Sequence, residues 1–223
     1  MSLEESPLPL FPLPNVVLFP KVRIPLHIFE PRYRDMVRDA VAGAGRIGMV
    51  RLAPGWEDDY EGTPAIMAVG CAGEITRLTE LPDGRFTLVL VGTRRFEVLA
   101  EVGDESYRQA LVRWREEENA GATGPVAAGR IKRILVALYR VAEARAETGP
   151  PSPPPLEGGS FELTVNRLIT TSGLDPQAMQ ELLEIDDLHR RATRLAEVVE
   201  SRFSAATDAN RYRPFLPDDP AVN

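Results

Sequence analysis

Cysteine, histidine and lysine are scarce in this chain, and each scarcity removes a class of chemistry. A single cysteine, Cys71, cannot form an intrachain disulfide. One cysteine and two histidines, His27 and His189, are too few for the usual all-protein structural zinc site. Lysine occurs only at Lys21 and Lys132, so any lysine-based catalysis has two candidates. No apolar run approaches the roughly 18 residues that a membrane span needs. Prolines break the early apolar stretch, and Glu4 and Glu5 stand where a secretory leader would be basic. A cytoplasmic protein with no membrane contact is the expectation. The net charge of −7 argues against global attraction to nucleic acid. A local patch from Arg32, Arg34, Arg38, Arg94 and Arg95 is the one route by which RNA binding would return.

What is present is enough apolar material for one large or two small domains, 43% of 223 residues. The first half reads as strands with one helix. Pro7, Pro9, Pro12 and Pro14 forbid a helix and suit an edge strand or an irregular extended segment. Val16–Phe19 and Val22–Phe29 read as short strands. Glu30-Pro31 reads as a helix start, with Pro31 at the first helical position. Tyr33, Met36, Val37, Ala40 and Val41 then share a face, and Gly43 and Gly45 end the helix. Arg46–Leu52 reads as a buried strand. Ala65–Leu81 is strand-rich, with Gly70 and Gly73 marking bulges or close backbone approach. Pro82-Asp83-Gly84 is a hairpin signal before the return strand Phe86–Val91. Further strands are expected around Phe96–Ala100 and over Tyr107–Arg115. Successive strands with one helix suggest a small closed or nearly closed barrel.

After a flexible stretch over Asn119–Gly129 the period becomes helical. Ile131, Ile134, Leu135, Leu138 and Val141 form a stripe. The proline run Thr148–Pro155 breaks that helix and reads as a stiff connector. Ser160 is a cap for a helix bearing Phe161, Val165, Leu168 and Ile169. Asp175-Pro176 starts another, and a last helix from about Asp187 carries Leu188, Ala192, Leu195 and Val199. The second half thus reads as a helical bundle.

No compact catalytic constellation appears. His27 reads as packed near a strand–helix junction, His189 as a solvated surface residue, and Cys71 as a buried inert thiol. Trp56 and Tyr60 flank an acidic loop, and loop aromatics can anchor partners. Arg94 and Arg95 either pair with neighbouring acids or meet a partner. These four, Trp56, Tyr60, Arg94 and Arg95, are the candidate partner-binding residues. No catalytic, cofactor-binding or metal-binding residue is expected.

Several motifs resemble one family. They are Leu8-Pro-Leu-Phe-Pro-Leu13, Val17-Leu-Phe-Pro20 and Pro25-Leu-His-Ile-Phe-Glu-Pro-Arg-Tyr33. Arg46–Val50, Leu81–Arg85, Gly92–Phe96 and the helix after Leu182-Leu-Glu184 follow in order. Together they resemble the N-terminal, substrate-recognising domain of Lon proteases, over about residues 8–203. The resemblance implies an α+β fold: a PUA-like β pseudo-barrel over 1–118, a C-terminal helical bundle over 119–203, and a flexible tail over 204–223. It further implies a stand-alone Lon-domain protein without ATPase or protease. No Gly-x-x-x-x-Gly-Lys-Ser/Thr loop exists, since Lys21 precedes Val22 and Lys132 precedes Arg133. The expected function is a non-catalytic protein- or peptide-binding module, an adaptor in protein quality control. Its partners would be unfolded or exposed polypeptide segments and a separate protease, not nucleic acid. The alternative is an RNA- or small-ligand-binding PUA-like protein.

Overall fold

The computed structural model describes residues 7–59, 62–145 and 159–212. The strands are β1 (Leu8–Leu13), β2 (Arg23–Ile28), β3 (Arg46–Arg51), β4 (Val69–Glu80), β5 (Phe86–Val102) and β6 (Gln109–Trp114). The helices are α1 (Pro31–Ala42), α2 (Gly124–Arg145), α3 (Phe161–Thr171), α4 (Pro176–Leu183) and α5 (Leu188–Tyr212), with a 3₁₀ turn at Trp56–Asp59.

The sheet runs β2-β5-β4-β3-β1-β6, and β6 also pairs with β5. The 17-residue β5 makes this possible. Its first part pairs with β2 and β4, and its last part, Phe96–Val102, pairs with β6. Register shifts at Ala72/Gly73, Thr76/Thr79 and Val98/Ala100 add the local twist that curling needs. The result is a pseudo-barrel: a ring of five strands with β2 attached outside it. Among the described strands only the β1–β3 pair is parallel.

The prolines of β1 sit inside this ring, not at an edge as their count suggested. The Leu10 amide donates to the carbonyl of Arg108, just before β6, at 2.8 Å. Pro12, two residues on, faces the same side but lies past the β1–β6 pairing, which involves only Leu8 and Pro9. Pro9 faces β3 ahead of the first paired residue, Leu10. Each ring nitrogen therefore falls where no ladder bond is asked of it.

Two apolar cores result. Leu8, Leu10, Val50, Ala72, Phe96, Ala110, Val112 and Trp114, drawn from all five ring strands, fill the inside of the ring. The larger core lies outside it, under α1 and the helices. Val16–Phe19 is not a strand, yet Val17, Leu18 and Phe19 are buried in this outer core. Gly73 and Gly92 let that segment lie directly on β4 and β5: a Cβ on Gly92 would strike the Phe19 carbonyl. Of the expected α1 face, Val41 is exposed and the other four are buried.

The local signals act as expected at the helix starts. Glu30 precedes Pro31, Ser160 Oγ accepts from the Leu163 amide at 3.3 Å, and Asp175 Oδ1 accepts from the Ala178 amide at 2.8 Å. Two boundaries move. The stretch expected as a linker to Gly129 becomes helix at Gly124, and α5 runs to Tyr212, into the segment 204–223 expected as a flexible tail. The Thr148–Pro155 run lies outside the described residues.

Two glycine substitutions separate packing from propensity. At Gly70 an added Cβ would come within 2.5 Å of both the Met49 carbonyl and the Phe96 ring; at Gly129, inside α2, it would meet nothing. Gly70→Ala is expected to lower unfolding free energy by about 1–3 kcal/mol. Gly129→Ala is expected to raise it by up to about 1 kcal/mol. Urea titration of both variants checks the pair.

Candidate functional site

The ring and the helices meet through a buried ionic cluster. Arg95 on β5 and Arg191 on α5 are both fully buried. Between them lies Glu117, just past β6. It accepts from Arg95 Nε and, at 2.9 Å, pairs with Arg191 Nη1. Asp186 pairs with Arg95 at 2.9 Å and with Arg115 at 2.8 Å. The remaining guanidinium hydrogens go to chain carbonyls. Arg95 donates to Leu183 and Glu116 at 2.8 and 2.9 Å, and Arg191 to Ile185 at 3.1 Å. Arg191 also reaches Asn166 Oδ1 at 3.1 Å, and Asn166 in turn donates to the Pro20 carbonyl at 3.0 Å. Such a chain ties the N-terminal segment, β5, the end of β6 and three helices into one unit.

Of the two readings open for the Arg94-Arg95 pair, Arg95 takes the pairing with neighbouring acids and is fully buried in it. Successive β5 residues face opposite sides, and Arg95 takes the side that meets the helices. Arg94 shares the other side with Phe96 and is half-buried, paired with Glu116 and placed over the Trp114 ring at 5.4 Å. Trp56 sits half-buried in the 3₁₀ turn. Tyr60 lies outside the described residues. The structure thus brings Arg94 together with Trp114, a residue that sequence reading passed over, and separates Arg94 from Arg95 by the thickness of a strand.

The arginines that would make an RNA-binding patch are largely neutralised. Arg32 pairs with Glu30 at 2.9 Å, Arg38 with Asp35 at 3.0 Å, and Arg94 with Glu116. A cleft of about 350 Å³ opens beside Tyr33 and Tyr107, between α1 and the β5–β6 connection. Its polar groups are also engaged. Arg108 grips Glu101 through two 2.6 Å bonds and donates to the Pro64 carbonyl at 2.7 Å. Tyr107 donates to Asp39 at 2.9 Å. Burial and that carboxylate push the Tyr107 phenol up to about 12, so it keeps its proton.

The other titratable candidates divide similarly. Burial pushes the Cys71 thiol far up, with Glu117 adding to the effect. His189 is half-buried, not solvated: its ring tilts against Phe161 at 5.0 Å, and its Nδ1 is sealed from solvent. His27 is exposed on β2 and meets Phe29 edge-on at 6.2 Å. Among the described residues no group of three His, Cys, Asp or Glu side chains could hold a metal ion.

Exposed large apolar side chains include Val41 on α1, Leu78 on β4, Leu99 on β5 and Leu111 on β6. Val126, Val136 and Tyr139 lie exposed on α2, and Phe29, 61% exposed, follows β2.

Three outcomes are expected from this arrangement. Glu117→Ala leaves two buried guanidiniums without their shared carboxylate and should cost about 3–5 kcal/mol. Arg94→Ala, which breaks an exposed pair, should cost under about 1 kcal/mol; urea titrations compare the two. Acid should weaken the fold through three aspartates. Burial opposes the charge on Asp186, but Arg115 and Arg95 outweigh it and hold its carboxyl low. The Ala178 and Arg190 amides do the same for Asp175 and Asp187. Folded values below unfolded ones give stability present above the ordinary carboxylate range and lost as pH falls below about 4. Melting temperature against pH checks the sign. Finally, Cys71 should resist a thiol reagent in the native protein at about pH 8 and react at once in denaturant.

Comparison with known proteins gives this geometry a family. The model of the ATP-dependent protease La (LON) substrate-binding domain matches residues 7–201. Lon protease of Flavobacterium johnsoniae is 30% identical over 201 residues, covering 86% of this chain and 24% of that protein. Lon protease of Cytophaga hutchinsonii is 28% identical over 210 residues, covering 90% and 25%. The chain thus spans about a quarter of the length of the curated relatives it matches. A Lon N-terminal domain protein from Xanthomonas campestris has the same fold, with a TM-score of 0.60, 27% identity, and 85% of this chain and 96% of that one covered. The N-terminal domain of the Mycobacterium avium complex Lon protease aligns with a TM-score of 0.56 at 18% identity, covering 89% and 98%. With the family model covering nearly the whole described chain, the protein belongs to the Lon substrate-binding domain family.

Proposed function

We propose that this chain binds unfolded or exposed polypeptide segments without processing them. It would act in the cytoplasm as an adaptor in protein quality control, beside a separate protease. The observation that carries this reading is the substrate-binding domain match over residues 7–201. The surface chemistry agrees with it. Arg108 and Glu101 of the cleft hold each other, and solvent-facing apolar side chains include Val126, Val136 and Tyr139 on α2 and Phe29 at the end of β2. Binding by such surfaces needs no activated nucleophile, metal or cofactor. Trp56 and Arg94 stay among the proposed contacts; Tyr60 joins them as a proposal from sequence alone.

The RNA-binding alternative draws less support. Of its five arginines, Arg32, Arg38 and Arg94 already pair with carboxylates and Arg95 is buried. Phosphate binding would have to break those pairs before releasing counterions.

Titration calorimetry with reduced, carboxymethylated casein tests the reading. Binding is expected at roughly micromolar affinity, about −8 kcal/mol, with a negative heat-capacity change from apolar burial. The casein should remain intact, and added ATP should not be hydrolysed. Failure to bind casein, together with salt-sensitive binding of single-stranded RNA, would replace this reading with the nucleic-acid one.

A further inference from the structure

The pairing of the sheet leaves one strand with a single neighbour. β5, β4, β3, β1 and β6 each pair on both sides, whereas β2 pairs only with β5. The register tells which of its backbone groups are free. The Gly92 amide donates to the Val22 carbonyl at 2.9 Å, and the Lys21 amide donates to the Gly92 carbonyl at 2.7 Å. Gly92 therefore faces β2, and so do Leu90, Leu88 and Phe86, opposite Ile24, Leu26 and Ile28. The backbone groups of Arg23, Pro25 and His27 then point the other way, to the open edge. No described residue pairs with them. The same three side chains are the exposed ones of β2, since side chain and backbone directions alternate together.

The ends of this edge differ in chemistry. Arg23, at one end, has no carboxylate within ion-pair distance among the described residues, although many arginines of this chain do. Phe29, at the other, is 61% exposed and stands T-shaped to the His27 ring. Pro25, in the middle, offers a carbonyl but no donor. A copy of β2 would add a second proline and a second unpaired cation to the same ladder. A foreign extended strand brings neither.

Resting on the polypeptide-binding reading above, we propose that the open edge of β2 takes up an extended segment of another polypeptide as an added antiparallel strand. The segment spans about 20 Å, from Arg23 to Phe29. It carries an acidic residue opposite Arg23 and apolar residues at alternate positions towards His27 and Phe29. The amides of Arg23 and His27 donate to it, and the carbonyls of Arg23, Pro25 and His27 accept from it. Affinity comes from main-chain bonds, which are indifferent to sequence, while the two ends set a coarse preference. Such a mode suits a domain that must accept many partners.

A short synthetic peptide alternating valine and threonine, with a glutamate at the Arg23 end, is the probe. Its binding is followed by fluorescence anisotropy, and amide exchange is read at Arg23 and His27. Slowed exchange at both amides is expected. Methylating the peptide nitrogens that face β2 should weaken binding about fivefold to tenfold for each bond lost, while methylating the intervening nitrogens should not. Arg23→Glu should favour a lysine-ended peptide over the glutamate-ended one. His27→Pro removes an outward donor without touching the β2–β5 ladder and should weaken both peptides. If that variant misfolds, the methylated series on the unaltered protein decides. Casein binding with no response to methylation register, or with unprotected Arg23 and His27 amides, overturns the edge and leaves the polypeptide-binding reading intact. Pairing of the protein with itself in sedimentation, blocking the peptide, overturns it in favour of a second copy. Loss of casein and peptide binding alike removes both.

Discussion

Glu117 holds two fully buried guanidiniums at once, Arg95 from the barrel and Arg191 from the last helix. Removing two arginines from water is costly, and the site is tolerable only because carbonyls and Asp186 meet the remaining donors. That demand fixes geometry. Planar guanidiniums accept partners only along set directions, so β5, the end of β6, the α4–α5 turn and α3 must arrive in one arrangement. Hydrophobic burial drives the halves together; this cluster decides how they meet. The helical half is consequently not an appendage. Its core is continuous with the layer that covers the barrel.

Much of this organisation was legible in the residues. Capping serine and aspartate, proline at the first helical position and the Pro82-Asp83-Gly84 turn act locally, and local signals survive whatever the tertiary fold does. The change from period 2 to period 3.6 near residue 120 likewise marks where strands end. Gly70 and Gly73 announced close approach because a missing side chain has few other uses inside a strand.

What escaped was set by distant partners. Val16–Phe19 has strand composition but lies flat on glycines far along the chain, so its backbone joins no ladder. The prolines of β1 imply an edge until the short reach of β6 is known. Arg94 and Arg95 are neighbours of one type, and only the side each faces on β5 separates a half-buried residue from a fully buried one. The β2 edge was invisible for a related reason. Whether a strand has one neighbour or two is a property of the ring, not of the strand.

The bond from Asn166 to the Pro20 carbonyl spans 146 residues. On a ribosome adding about 5–20 residues per second, the segment around Pro20 would wait roughly 7–30 s for the helix that covers it. Through that interval Val17, Leu18 and Phe19 have strands to rest on only after Gly73 and Gly92 have emerged, and no lid until α3 follows. Nascent chains of this protein therefore pass through a stage in which they display, at Val17, Leu18 and Phe19, the kind of apolar extended segment that housekeeping machinery captures. Rapid assembly of the β4–β5 hairpin, whose contacts are local, shortens that exposure first.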